Sequence, residues 1–215
     1  MPNPKENRLV VEGYEDLYSV VGLMQAHIAW PEDKNEAPVH IQIGKSATEI
    51  LEHGYLTALL KTQGVRVTGI MLDADTNPKG RYDSLRGICL SMFPGLPEHC
   101  PGSGAITENS DNRRLGIWIM PDNVSDGSLE TFLKHLVPAH AEPLWRHARA
   151  SVASARAMGA ECRDCHVEKA DLFTWLAWQD PPGQYPGRAL TKKVLDPHSP
   201  SAGSFVKWFR ELYEL

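Results

Sequence analysis

Long apolar runs are missing from this sequence. Nowhere in its 215 residues does an uninterrupted apolar stretch approach the roughly 18 residues that a membrane span needs. The N-terminal MPNPKENR lacks the apolar segment of a secretory leader, so the expected compartment is the cytoplasm and no membrane partner is expected. A basic excess is missing too: 22 Lys and Arg stand against 27 Asp and Glu, a net charge of −5. That balance argues against a protein that coats nucleic acid by bulk electrostatics. It leaves room for a nuclease whose acids gather around metal while a local rim meets phosphates. Arg113, Arg114, Arg156, Arg163, Lys192 and Lys193 are candidates for that rim, although scattered cations are more often solvated surface. Cysteine is sparse, at positions 89, 100, 162 and 165, and reduced thiols are expected in a cytosolic chain. CRDCH at 162–166 has the spacing of a c-type haem attachment, but that attachment needs export. Zinc would need a fourth ligand beyond Cys162, Cys165 and His166, so coincidence is the better reading. A phosphate-binding P-loop is also lacking, because GKS at 44–46 is preceded by Val39 where the motif requires glycine.

What is there is an ordinary globular composition, 42% apolar and 23% charged, enough for one domain with a proper core. Residues 8–12, 39–44, 65–75 and 115–123 read as strands, the first and third as runs buried on both faces. Helical spacing covers 16–28, 45–64, 81–92 and 128–137, with Gly64 placed to stop the second and Ser125 or Asp126 to cap the fourth. A Pro/Gly-rich loop occupies 93–112. This alternation predicts an α/β fold: a Rossmann-like, mainly parallel four-stranded sheet flanked by helices. Two more helices are expected within 142–179, and a last amphipathic one carries Phe205, Trp208, Phe209 and Leu212 against the domain. Residues 1–140 thus form the expected core, and 141–215 a helical C-terminal part of the same domain.

Open parallel sheets bind ligands beyond the C-terminal ends of their strands. Three of the four expected strands end there in acid: Glu12, then Asp73 and Asp75, then Asp122. On an extended backbone Asp73 and Asp75 point the same way, and Asp16 stands one turn into the helix after Glu12. Glu12, Asp16, Asp73 and Asp75 converging without a cation would be strongly unfavourable. Mg²⁺ or Mn²⁺ answers that problem, since hard divalent ions take oxygen ligands. The bland alternative is that these acids cap the helices that follow them, and for Asp16 the two readings weigh equally.

VVEGYED at 10–16 and IMLDAD at 70–75 resemble the two acidic motifs of a Toprim domain, shared by topoisomerases, primases, RNA-maturation nucleases, recombination mediators and OLD-family nucleases. IMPDNVSDGSLETFLKHL and KADLFTWLAWQDPPGQYPGRAL resemble small stand-alone Toprim-like proteins of the DUF3226 type. That resemblance implies a metal-dependent endonuclease acting on DNA or RNA, in the setting of prokaryotic anti-phage defence and beside an ATPase partner. It implies Glu130 as a further acid and Lys169 as a late lysine, which by position alone would be an ordinary surface residue. Glu12, Asp16 and Glu130 would hold one metal ion, Asp73 and Asp75 a second, with Glu12 and Lys169 as catalytic residues. No organic cofactor is implied, and an oligomer is compatible. The tyrosine domain of topoisomerases, the zinc module of primases and the Cys₄ cluster of recombination mediators have no counterpart here. Two alternatives stand beside this reading: a non-catalytic Toprim-like regulatory or binding subunit of an ATPase complex, and a phosphatase or phosphotransferase on nucleotides.

Overall fold

A computed structural model describes residues 6–31, 33 and 35–215; residues 1–5, on which part of the leader argument rests, lie outside that set. The sheet has five strands rather than four: β1 (Asn7–Val11), β2 (His40–Ile43), β3 (Val67–Asp73), β4 (Ala105–Glu108) and β5 (Arg114–Met120), in the order β2-β1-β3-β5-β4. All pairings are parallel except β4 with β5. The unexpected strand, AITE, lies inside the Pro/Gly-rich stretch and is too short to show a period. It pairs because Asn109 closes a return turn, its side-chain oxygen accepting from the Asp111 and Arg113 amides at 3.0 Å each.

Alternation along the strands divides the core in two. Leu9, Val11, Met71, Trp118 and Met120 face one way, under α1 (Tyr14–Met24), α5 (Leu129–Lys134), α6 (Glu142–Ala157), α7 (Val167–Ala177), α8 (Pro186–Thr191) and α9 (Gly203–Tyr213). Val10, Ile70, Leu72, Ile117 and Ile119 face the other way, under α2 (Ala47–Ile50), α3 (His53–Leu60) and α4 (Pro78–Cys89). The result is a three-layer sandwich, with α6 to α9 inside the first core rather than appended to it. α9 lies directly on the sheet because Gly69 and Gly116 pair across β3 and β5. A Cβ on Gly69 would sit 2.4 Å from the Tyr213 hydroxyl, and one on Gly116 2.4 Å from Leu212. Tyr213 then donates to the Arg8 carbonyl at 2.7 Å, and Phe205, Trp208, Phe209 and Leu212 are buried as expected.

The helix expected over 45–64 is two helices. Ser46 caps α2, Leu51 ends it, and Glu52 is extended (φ −62°, ψ 120°) before α3 begins. At about 100° per residue, Leu56 would lie some 120° around a continuous helix from Ile50. The break resets the phase, and Ile50, Leu56, Leu59 and Leu60 all reach the same core. α8 is a further helix where the sequence reads as loop, and α5 is capped by Ser128, not Ser125 or Asp126.

The connections set the site. From β1 the chain passes over one face through α1 to β2, then back over the other face through α2 and α3 to β3, which pairs with the opposite side of β1. The C-terminal ends of β1 and β3 therefore border a topological switch point, where open sheets leave a crevice.

Candidate functional site

Glu12 and Asp73 stand at the ends of β1 and β3, side by side across that crevice. Glu12 spends both oxygens on backbone: Oε1 accepts from the Asp73 amide at 2.9 Å and Oε2 from the Ala47 amide at 3.1 Å. Burial pushes its carboxyl up; the two amides and Arg81 pull it back, Asp75 adds to the rise, and the net direction is upward. Asp16 is buried, and its Oδ2 accepts from the Gly13 amide at 2.9 Å. It therefore does cap α1, as the bland reading allowed, and it faces the other acids as well. Burial first, then the charges of Glu12 and Glu130, raise it to about 7.

Asp73 is the most perturbed of the group. Burial, then the charges of Asp16, Glu12 and Glu130, push it up to about 9, against one opposing hydrogen bond from the Leu129 amide to Oδ1 at 2.8 Å. That bond exists because the chain after β5 returns to β3. Gly127, at φ 137°, exchanges backbone hydrogen bonds with Asp75 and hands α5 to the site. A side chain is excluded there, since a Cβ would lie 2.4 Å from the Thr131 hydroxyl. α5 also delivers Glu130, whose Oε2 accepts from the Ser128 hydroxyl at 2.9 Å.

Lys169, from α7, completes the rim. Its ammonium lies 2.5 Å from Glu15 Oε2 and 3.5 Å from Glu130 Oε1. Burial opposes its charge, but the Glu15 bond and the field of Glu130 outweigh that, and its pKa is raised. Glu12, Asp16, Asp73, Glu130 and Lys169 are thus gathered from five separated elements.

Asp75 is not on an extended backbone. β3 ends at Asp73, and Asp75 has φ 52°. Its exposed carboxylate (side chain 65% accessible) pairs with Arg81 at 2.5 Å, so it does not point the same way as Asp73 by strand alternation. Asp122 is spent locally: its carboxylate accepts from the Val124 and Ser125 amides and the Ser125 hydroxyl. Burial works against its charge, but these bonds prevail and hold it below its ordinary range. Arg113 and Arg114 sit at the opposite end of the sheet, bound to the Leu60 carbonyl and to Glu214, so they form no rim around the acids.

Three contributors escaped the sequence. Arg81 ties the Asp73 carbonyl to Asp75, Glu15 holds Lys169, and Glu168 accepts from Thr131 and Lys134 beside them. Glu168 and Glu15 carried a local signal, their adjacency to Lys169 and Asp16; Arg81 carried none. A cleft of ≈ 400 Å³ lined by Lys134, His135, Arg149, Glu168 and Asp171 among others neighbours the acids without including them.

Among the described residues, no three His, Cys, Asp or Glu side chains stand close enough to form a ready ligand set for a metal. The acids are near enough to raise one another's proton affinity, yet Asp16 Oδ1 and Asp73 Oδ2 accept no hydrogen bond from another described residue. Such an open, oxygen-only arrangement suits Mg²⁺, which keeps several waters and takes one or two carboxylates.

No curated protein and no solved structure matches the chain. A family model described as "Protein of unknown function (DUF3226)" matches residues 6–214, nearly the whole length, and the chain belongs to that family.

Proposed function

We propose that the protein is a metal-dependent phosphodiesterase that cuts nucleic acid, DNA or RNA. The observation that carries this reading is the convergence of Glu12, Asp16, Asp73 and Glu130 at the switch point, with Asp16 raised to about 7 and Asp73 to about 9. Carboxylates held in this way are unfavourable as bare anions and favourable around a hard cation. The likeness of VVEGYED and IMLDAD to Toprim motifs supports the same chemistry. Asp16, Asp73 and Glu130 would hold Mg²⁺ or Mn²⁺, and Asp75 would contribute to a second ion once released from Arg81. Such ions polarise phosphoryl oxygens and lower the pKa of bound water. Glu12, with one amide on each oxygen, fixes the two strand ends relative to each other and keeps a lone pair on each oxygen with which to act as ligand or base. Lys169 is the group that would stabilise negative charge developing on the phosphate.

The same contacts favour a second reading. Glu12 is held by amides, Asp75 by Arg81 and Lys169 by Glu15 and Glu130. A site engaged in this way suits a protein held inactive until a partner, such as an ATPase in a defence system, rearranges it, or a non-catalytic regulatory subunit. Among the described residues no helix is long and apolar enough to cross a membrane, and a cytoplasmic setting is part of the proposal.

The test is incubation of the purified chain with supercoiled plasmid and total tRNA in Mg²⁺, Mn²⁺ or chelator, beside Asp73→Asn. Metal-dependent cutting absent from the variant is expected, and the substrate that is cut names the nucleic acid. Metal-dependent stabilisation without cutting would support the second reading. Neither cutting nor stabilisation would remove the metal site altogether.

A further inference from the structure

Most large side chains that remain exposed on a folded surface are scattered and need no account. Three tyrosines here are different in position. Tyr14 (68% exposed) and Tyr18 (48%) stand one turn apart on α1 with rings stacked, centroids 6.5 Å apart and planes at 22°. Tyr185 (68%) precedes α8, and α8 meets α1 backbone to backbone at Gly187 and Gly22. A Cβ on Gly187 would lie 2.3 Å from the Tyr18 carbonyl oxygen, and one on Gly22 2.2 Å from that of Gly187. Tyr185 therefore stands two residues before the point where the chain meets the Tyr18 backbone. The Tyr82 and Tyr213 hydroxyls are hydrogen-bonded; those of Tyr14, Tyr18 and Tyr185 bond to no other described residue.

Cations continue the strip. Arg188 and Lys192, four residues apart, lie on one face at the end of α8, three and seven residues after Tyr185. Both are exposed, and neither has an acidic partner among the described residues. Thr191 donates to Gln25, the C-cap of α1, at 3.1 Å, so α8 runs alongside α1 in the same direction. At its other end α1 carries Asp16, in the acid group, and Glu15, bound to Lys169. Tyr14 and Tyr18 on α1, Tyr185 before α8, and Arg188 and Lys192 at the end of α8 are thus carried by two adjacent parallel helices, the longer about 16 Å in length.

We infer that α1 and α8 form a track for single-stranded nucleic acid, with bases stacking on Tyr14, Tyr18 and Tyr185 and phosphates meeting Arg188 and Lys192. The identity of the ligand as substrate rests on the proposed nuclease reading; the binding itself does not. Stacking on tyrosine faces needs bases that are not already stacked in a duplex. Two cations on a chain of net charge −5 give little to a duplex, which is bound mainly through its phosphates.

The test is fluorescence anisotropy with a labelled single-stranded oligonucleotide and its duplex, as DNA and as RNA, in chelator so that no cleavage intervenes. Tyr14→Ala/Tyr18→Ala/Tyr185→Ala is compared with Tyr14→Phe/Tyr18→Phe/Tyr185→Phe and with Arg188→Ala/Lys192→Ala, after thermal melts establish that each is folded. The single strand is expected to bind at least tenfold more tightly than the duplex. The alanine triple loses at least tenfold and the phenylalanine triple retains affinity, because stacking uses the ring. Removing the two cations lowers the slope of log affinity against log salt by about 1.4, at about 0.7 per neutralised phosphate on a single strand. No binding, equal binding of duplex, or an alanine triple that binds like the parent chain overturns the track. Intact binding without metal-dependent cutting would leave the track standing and fault the nuclease reading instead.

Discussion

Replacing Asp73 by asparagine should make the metal-free protein more stable, and increasingly so as pH rises. An ordinary aspartate ionises near pH 4 in an unfolded chain, whereas Asp73 in the fold holds its proton to about 9. A carboxyl raised in this way contributes its full stability below the unfolded value and loses it as pH climbs through the folded one. Between pH 4 and pH 9 the native state therefore carries a proton that the unfolded chain does not, at about 1.4 kcal/mol per pH unit. Asp16 acts in the same direction up to about 7. Asparagine keeps an oxygen for the Leu129 amide, as Asp73 Oδ1 does now, while removing both the charge and the proton uptake. The expected gain is on the order of 1 kcal/mol at pH 5 and 3–5 kcal/mol at pH 8 in chelator. For a chain of this size that is a Tm rise of roughly 6–20 °C at pH 8. Differential scanning calorimetry across pH 5–8, with chelator and then with millimolar Mg²⁺, measures it. Magnesium should stabilise the parent protein and leave the variant unmoved. A gap between the two proteins that does not widen from pH 5 to pH 8 would refute the electrostatic account of the site.

Three further outcomes follow from the same contacts. Asp75→Asn removes an exposed ion pair with Arg81, so stability should change by less than about 1 kcal/mol in a urea melt, while metal titration by calorimetry loses any second, weaker ion. Lys169→Met should lower the cleavage rate by about 10²-fold or more, as expected for a group that stabilises developing charge; the melt should shift far less, because Lys169 and its nearer partner Glu15 are partly open to water. Gly187→Ala forces a methyl into the Tyr18 backbone and should cost about 3 kcal/mol in urea denaturation, whereas Gly183→Ala should act only through its left-handed φ of 70°, by about 1 kcal/mol.

Much of this molecule was legible locally. Apolar strands closing in Glu12 and Asp73, helices with regular spacing between them, and the buried aromatic face of 205–212 are patterns within ten or twenty residues. Such patterns follow from the periods of strand and helix. The β4 strand was not legible, because four residues in a Pro/Gly-rich segment become a strand only when β5 offers an edge. Nor was the break at Glu52, where a phase mismatch matters only once both halves must reach one core. Asp75 shows the limit most plainly. Its motif spacing is intact, yet Gly127, about fifty residues away in sequence, draws its backbone into a left-handed bridge and turns its carboxylate to Arg81.

Residue types and their spacing determined by themselves that this chain forms a mainly parallel α/β sheet and that acids crowd one end of it, since short-range periodicity and strand-end chemistry are local. Which acids share a field, which is spent on a cap or an arginine, and which lysine stands beside them was decided by the tertiary structure alone. Burial and the Coulomb interaction depend on distance through space, and Glu15 and Lys169, 154 residues apart along the chain, are neighbours only in the fold.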